Sequence, residues 1–183
     1  MNNIDKLIEN LNKEQKDAVL STEGPNLIET SRKLGIIESV KFSKERVDFA
    51  QMNAIHNAVD CCVQISYAEG FGLSTLESMQ CGNPIIAVKT GGLTRQVVDH
   101  RDGTENGIAL DVEFQSLVGS QHVPYIYEDY CSTDSVADAL YRLYDMPSDE
   151  RKALGKKAKK YVEEEFSYDK TIDLWHDSLK NLV

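Results

Sequence analysis

Residues 61 to 88 run CCVQIS, YAEGFG, LSTLESMQ, CGNP and IIAV, and this stretch decides the fold. Cys61-Cys62-Val63-Gln64-Ile65-Ser66 is an apolar, strand-like run, and Glu69-Gly70-Phe71-Gly72 reads as a turn. Leu73 to Gln80 has a helical pattern. Gly82-Asn83-Pro84 ends it, glycine supplying the left-handed stop and proline forbidding continuation. Ile85-Ile86-Ala87-Val88 is the next strand. Strand, crossover helix and strand, with near-continuous apolar strands, mean a parallel sheet covered by helices on both faces.

The same rhythm extends both ways along the chain. Upstream, Asp5 to Lys16 reads as a polar helix striped with Leu7, Ile8 and Leu11, and Ala18 to Thr22 as a short buried strand. After the turn Glu23-Gly24-Pro25, Asn26 caps a helix through Lys33 that stops at Gly35. Val40-Lys41-Phe42 is a second strand, and a helix follows from about Phe49 to Ala58. Downstream, a Gly91-Gly92 turn leads into a short helix through Val98, and Gly107 to Leu110 is a further strand. Residues 132–183 are helical, with Ser132 and Ser148 as caps and Ile172, Trp175, Leu179 and Leu182 on the last helix. Between them, Asp111 to Tyr130 fits either an added hairpin or a packed loop, with Phe114, Tyr125, Tyr127 and Tyr130 as its aromatics. The expectation is one α/β, Rossmann-like domain over residues 1–183, its parallel sheet lying between helices.

Charge narrows the function classes. With 20 basic and 30 acidic residues in 183, the chain carries a net charge of −10, which argues against nucleic acid as a partner. Its longest apolar run falls far short of the roughly 20 residues of a membrane helix. The first residues show no basic region followed by an apolar one, so the cytoplasm is the expected compartment. Cys61 and Cys62 are strand neighbours that point to opposite faces, and Cys81 and Cys131 stand alone. No Cys or His pair has zinc spacing, so reduced thiols and no metal are expected.

Ligands of open parallel sheets bind outside the carboxyl ends of the strands. The segment from Ser66 to Glu77 falls there. Gly70 and Gly72 let the backbone approach a ligand closely, and the helix from Leu73 turns unpaired N–H groups and its positive dipole end toward it. That is an anion site suited to a diphosphate. Glu69 lies in the turn and Glu77 one turn into the helix, and ionised carboxylates match vicinal hydroxyls. On composition alone, a surface turn with two solvated glutamates is the plainer reading.

These residues resemble a known family. Glu69 to Leu73, then Leu76-Glu77-Ser78-Met79, then Cys81 to Ala87, then Gly91-Gly92, look like the donor-site run of the retaining, group 1 glycosyltransferases with the GT-B fold. The resemblance implies the C-terminal, donor-binding half of such an enzyme, with a nucleoside diphosphate sugar as substrate; the residues themselves, with no Asp-x-Asp triplet in the chain, call for no metal or other cofactor. By it, Glu77 holds the ribose hydroxyls and the backbone of Gly70, Phe71, Gly72 and Leu73 touches the sugar and its phosphate. Glu69 sits beside the donor sugar as the candidate catalytic residue.

The departures are as informative. The amino-terminal acceptor domain of the family is expected to be absent, as are the first strand of the donor domain and its diphosphate clamp. Arg95 stands where the family has a glutamate after the double glycine. An isolated chain of this kind is expected to be weakly active or inactive, unless an acceptor-domain chain or self-association completes it. Two other readings stay open: a non-catalytic module that only holds a sugar nucleotide, and a sugar-nucleotide epimerase of related fold. His56, His100, His122 and His176 are scattered and read as surface or capping residues. Lys89, Arg95 and Arg101 face either the ligand crevice or solvent, and Lys156 to Lys160 reads as a solvated helix face.

Overall fold

A computed structural model of the chain describes residues 32, 35–39 and 47–180. The expected helix Asp5 to Lys16, the strands at Ala18 to Thr22 and Val40 to Phe42, and the Asn26 cap lie outside them. The chain divides into two units, residues 1–48 and residues 49–183. In the first, Arg32 is helical and Gly35, at φ +67°, donates its N–H to the Arg32 carbonyl, the stop expected of that glycine. A 3-10 turn, Ile37–Ser39, follows.

The second unit begins with helix α1, Phe49–Asn57, and strand β1, Cys62–Gln64. Next come α2, Leu73–Gln80, β2, Ile85–Val88, α3, Gly91–Val97, and β3, Gly107–Leu110. The three strands form a parallel sheet in the order β1-β2-β3, with Cys62 opposite Ile85 and Ile85 opposite Gly107. β1 is shorter than the apolar run 61–66 because its pairing is confined to the positions opposite Ile85 to Ala87.

The central strand β2 is buried throughout, and its alternation sets up two cores. Ile85 and Ala87 pack on one face with Leu76 and Met79 of α2, Leu93 and Val97 of α3, and Tyr161 and Val162 further along the chain. Ile86 and Val88 pack on the other with Ile108, Leu110, Ala139 and Leu143. A helix layer therefore covers each face, and each fully buried Ile, Val or Leu contributes about 1.5–3 kcal/mol. β3 can lie this close to β2 only because position 107 is glycine: a Cβ there would fall on the Ile85 carbonyl.

Residues 111–130 resolve into an antiparallel hairpin, β4, Phe114–Ser120, with β5, Val123–Tyr130. Three helices complete the unit: α4, Thr133–Asp145, α5, Ser148–Glu165, and α6, Tyr168–Lys180. Ser132 caps α4 as expected, its hydroxyl accepting the Ser135 N–H at 3.1 Å. Ser148 does not cap: it is already the first residue of α5, and Pro147 holds the cap position. Nor is the lysine run wholly solvated. Ala158 is buried, and Lys157 donates to Thr104 Oγ1 and to the Glu105 carbonyl, tying α5 to the entry of β3.

Candidate functional site

The loops that leave the carboxyl ends of β1 and β2 meet backbone to backbone. The Gly92 N–H donates to the Glu69 carbonyl at 3.2 Å. A Cβ at Gly91, where φ is +47°, would fall on that same carbonyl. One at Gly92 would lie 2.6 Å from the Phe71 oxygen and 2.7 Å from the Gly70 oxygen. The double glycine is therefore not a free-standing turn, as the sequence suggested. It is the first residue pair of α3, with Thr90 at the cap position, and it is the floor on which the Glu69 to Gly72 turn rests.

Gln96, fully buried and one turn further along α3, fastens that turn. Its Nε2 donates to the Phe71 carbonyl at 2.5 Å, and its Oε1 lies 2.5 Å from the Thr75 hydroxyl. Thr75 shares its one proton between Gln96 and the Gly72 carbonyl, 2.8 Å away. Gly72 itself sits at φ +88°, where a side chain would be strained, and a Cβ there would meet Leu93 and Thr75. Sequence reading missed Gln96. The available signal was a lone amide between Leu93 and Val97 on an otherwise apolar helix face.

Of the site residues expected from sequence, Glu69, Gly70, Phe71 and Gly72 form the turn that rests on this scaffold. Glu69 is half-buried, and its Oε1 accepts from the N–H groups of both Phe71 and Gly72 at 3.2 Å. Its Oε2 lies 3.4 Å from Gln64 Nε2. The carboxylate thus folds over its own turn and takes two N–H groups that the sequence reading had left for a ligand. Gly70 and Leu73 are exposed, Gly72 is buried, and the Phe71 ring lies edge-on to Phe166 with centroids 6.0 Å apart. Behind the turn, no side chain caps the first turn of α2. Its leading N–H groups keep the partial positive charge of a helix start.

Glu77 stands on α2, partly exposed, with its Oε2 3.5 Å from the Nε2 of His56. His56 is the buried residue of α1, not the surface histidine that its position in the sequence suggested. On the other side of the turn, the hairpin is bolted to the site. The Asp129 N–H donates to the Tyr67 carbonyl at 2.6 Å, and Tyr67 stacks on Tyr130, which stacks on Phe114. Hydrogen bonds with Thr90 and Gln115 hold the Asp129 carboxyl below the usual carboxylate range.

The three candidate crevice cations are already engaged. Lys89 pairs with Asp111, and Arg95 lies 3.4 Å from Glu165 and 3.2 Å from His100. Arg101 donates to Asp99 at 2.8 Å and to Glu164 at 2.7 Å. Those bonds from Arg101 hold the buried Asp99 carboxyl down at about 2 and push the guanidinium up.

The parallel sheet layered between helices, with loops meeting at the carboxyl ends of its strands, defines a Rossmann-like α/β unit of the kind found in GT-B glycosyltransferases. Residues 1–161 match the family described as "Glycosyl transferases group 1", and the chain belongs to that family. Among curated relatives, the chain is 40% identical over 82 residues to D-inositol 3-phosphate glycosyltransferase 2 of Catenulispora acidiphila. It is 39% identical over 80 residues to the D-inositol 3-phosphate glycosyltransferase of Mycobacterium marinum. These matches cover 45% and 43% of this chain but 19% and 16% of the relatives.

Among solved structures, Anabaena HepE in complex with UDP and glucose matches 98% of this chain with a TM-score of 0.63 and 16% identity. A sucrose-phosphate synthase from Thermosynechococcus elongatus matches 86% with a TM-score of 0.62 and 22% identity. The chain spans 52% of the first and 34% of the second. At such identities the likeness is one of fold. Among the described residues, no helix is long and apolar enough to cross a membrane.

Proposed function

We propose that the chain binds a nucleoside diphosphate sugar and serves as the donor-binding half of a retaining glycosyltransferase. The carrying observation is the uncapped start of α2, set behind a glycine turn that is held from below by Gly91, Gly92 and Gln96. Such a helix start accepts a diphosphate through its N–H groups and dipole. Glu77 then accepts the vicinal hydroxyls of the ribose, and the turn of Gly70, Phe71, Gly72 and Leu73 lies against the sugar and its phosphate, with the Phe71 and Gly72 N–H groups already held by Glu69. Glu69 is the residue at the reacting sugar. Oε1 is engaged by the turn, and Oε2, which accepts one long hydrogen bond from Gln64, keeps a lone pair for a sugar hydroxyl. The presence of UDP in the structure of HepE supports the reading for a chain of the same fold.

The chemistry asked of this half is electrostatic. As the bond to the anomeric carbon breaks, negative charge grows on the leaving diphosphate, and the fixed dipole of α2 stabilises it without reorganising. No metal is needed for that step, because the helix start supplies the positive end. Transfer with retention further requires an acceptor held on the opposite wall of a cleft. That wall comes from another domain, another chain or a second copy of this one.

Calorimetry with UDP and GDP tests the assignment. Glu77→Ala loses charge-assisted hydrogen bonds worth about 1.5–3 kcal/mol, a loss of about 10- to 100-fold in affinity. Unchanged affinity in that variant removes Glu77 from the site. A module that only binds, and an epimerase, separate from the transferase reading by turnover: the first consumes no donor, and the second converts donor without acceptor.

A further inference from the structure

We propose that His56 is a positioning residue for Glu77, donating its Nε2–H to the carboxylate so that the other oxygen faces the ribose diol. The inference rests on the nucleotide reading of Glu77 given above. Its own observations are geometric. His56 is 6% exposed, and among the described residues its buried Nε2 has no hydrogen-bond partner. Glu77 Oε2 lies 3.5 Å from it, a few tenths of an ångström outside hydrogen-bond range. A buried imidazole nitrogen without a partner is unfavourable, so an apolar side chain would be the better choice if α1 merely had to fill space.

Docking of α1 does not need the ring either. Asn83 Nδ2 donates to the backbone carbonyl of His56 at 2.5 Å, and Asn57 Nδ2 reaches Cys81 Sγ at 3.6 Å. Those contacts hold the C-terminal end of α1 to the end of α2 through groups other than the imidazole. What the ring adds is a ring nitrogen 3.5 Å from one oxygen of the Glu77 carboxylate. A glutamate on a helix has three side-chain torsions, and fixing one oxygen from behind selects the rotamer that presents the other. Contacts of this kind are commonly long before the ligand arrives and tighten with it. The tautomer follows from the neighbour: a carboxylate facing Nε2 requires the proton on Nε2.

The test compares ribose with deoxyribose in the full chain. UDP and 2′-deoxy-UDP (or the guanine pair, if GDP binds more tightly) are titrated calorimetrically into wild type, His56→Phe, His56→Gln and Glu77→Gln. The expected result is a preference for the ribonucleotide that shrinks by about 2- to 10-fold in His56→Phe, with 2′-deoxynucleotide affinity unchanged. His56→Gln, which keeps a donor, restores most of it. Equal losses for both nucleotides, or no loss at all in a folded His56→Phe, overturn the proposal. Should His56→Phe not fold, the ring nitrogen shifts of wild-type His56 in the nucleotide complex decide instead. Protonated Nε2 is expected, and a proton on Nδ1 alone overturns the assignment. If Glu77→Gln leaves the ribose preference intact, the nucleotide reading of Glu77 has failed, which is distinct from a failure confined to His56.

Discussion

Gly92→Ala probes the floor of the site with a single methyl group. Gly92 carries no positive φ, so the substitution acts through space alone. The added Cβ would stand 2.6 Å from the Phe71 carbonyl oxygen and 2.7 Å from both the Gly70 oxygen and the Phe71 Cα. Ordinary contact begins near 3.4 Å, so the Glu69 to Gly72 turn must retreat by about 0.8 Å or α3 must move with Leu93 and Val97. Overpacking of this sort costs about 1–3 kcal/mol, a fall of about 3–10 °C in melting temperature for a chain of this size. A retreat of that size also carries the Phe71 and Gly72 backbone out of register with the start of α2, and donor affinity should fall by about 10-fold or more. Gly155→Ala is the matched control. Its Cβ would meet the Gly82 carbonyl, at the far end of α2, so stability should fall while UDP affinity does not. Melting curves and calorimetry on both variants decide the matter. If Gly92→Ala binds UDP within about 2-fold of wild type at an unchanged melting temperature, the two loops are not braced as described, and the account of the site fails.

Three further outcomes follow from the same geometry. UDP affinity should survive excess chelator within about 2-fold, because the diphosphate is assigned to backbone N–H groups; a larger loss restored by magnesium or manganese contradicts that assignment. Asp99 sits at about 2 in the folded chain, below its ordinary 3.8, so its contribution to stability is fully present above about pH 4 and drains away as pH falls toward 2. Thermal melts from pH 2 to 6 should therefore show Asp99→Asn less stable than wild type at pH 6, with the gap closing in acid. The isolated chain should transfer sugar well below the roughly 1 per second of an ordinary enzyme, and a monomer that reaches that rate with donor and acceptor refutes the one-wall reading.

The sheet was legible because its signals are local. Ile85 to Val88 is apolar without interruption, as a strand covered on both faces must be, and Gly82-Asn83-Pro84 leaves a helix no way to continue. The candidate site was legible in part, since glycines and paired carboxylates carry their chemistry in the residue type. Contacts between distant segments were not. Gly92 is separated from Phe71 by a helix and a strand, and nothing near it in sequence marks the carbonyl it must clear. Gln96 and Thr75 meet across the same span. The hairpin was ambiguous for a related reason. Its aromatics alternate imperfectly, and two of them, Phe114 and Tyr130, are ordered by the stack on Tyr67, which lies 47 positions before Phe114.

Glu69 shows how the missing contacts change the chemistry and not only the packing. From sequence it is a free carboxylate beside a ring of free N–H groups. In the structure the two satisfy each other, Oε1 accepting from Phe71 and Gly72, so the turn is closed before any ligand arrives. On the proposed reading, a donor sugar would meet a carboxylate whose direction is already set, one oxygen by the turn and the other by Gln64. Such preorganisation lowers the entropy lost on binding. On the same reading the diphosphate goes to the next N–H groups along, at the start of α2, which no side chain caps. The proposed reading therefore divides the labour: on it, the turn orients the sugar through Glu69, the helix start takes the phosphate charge, and Glu77 fixes the ribose.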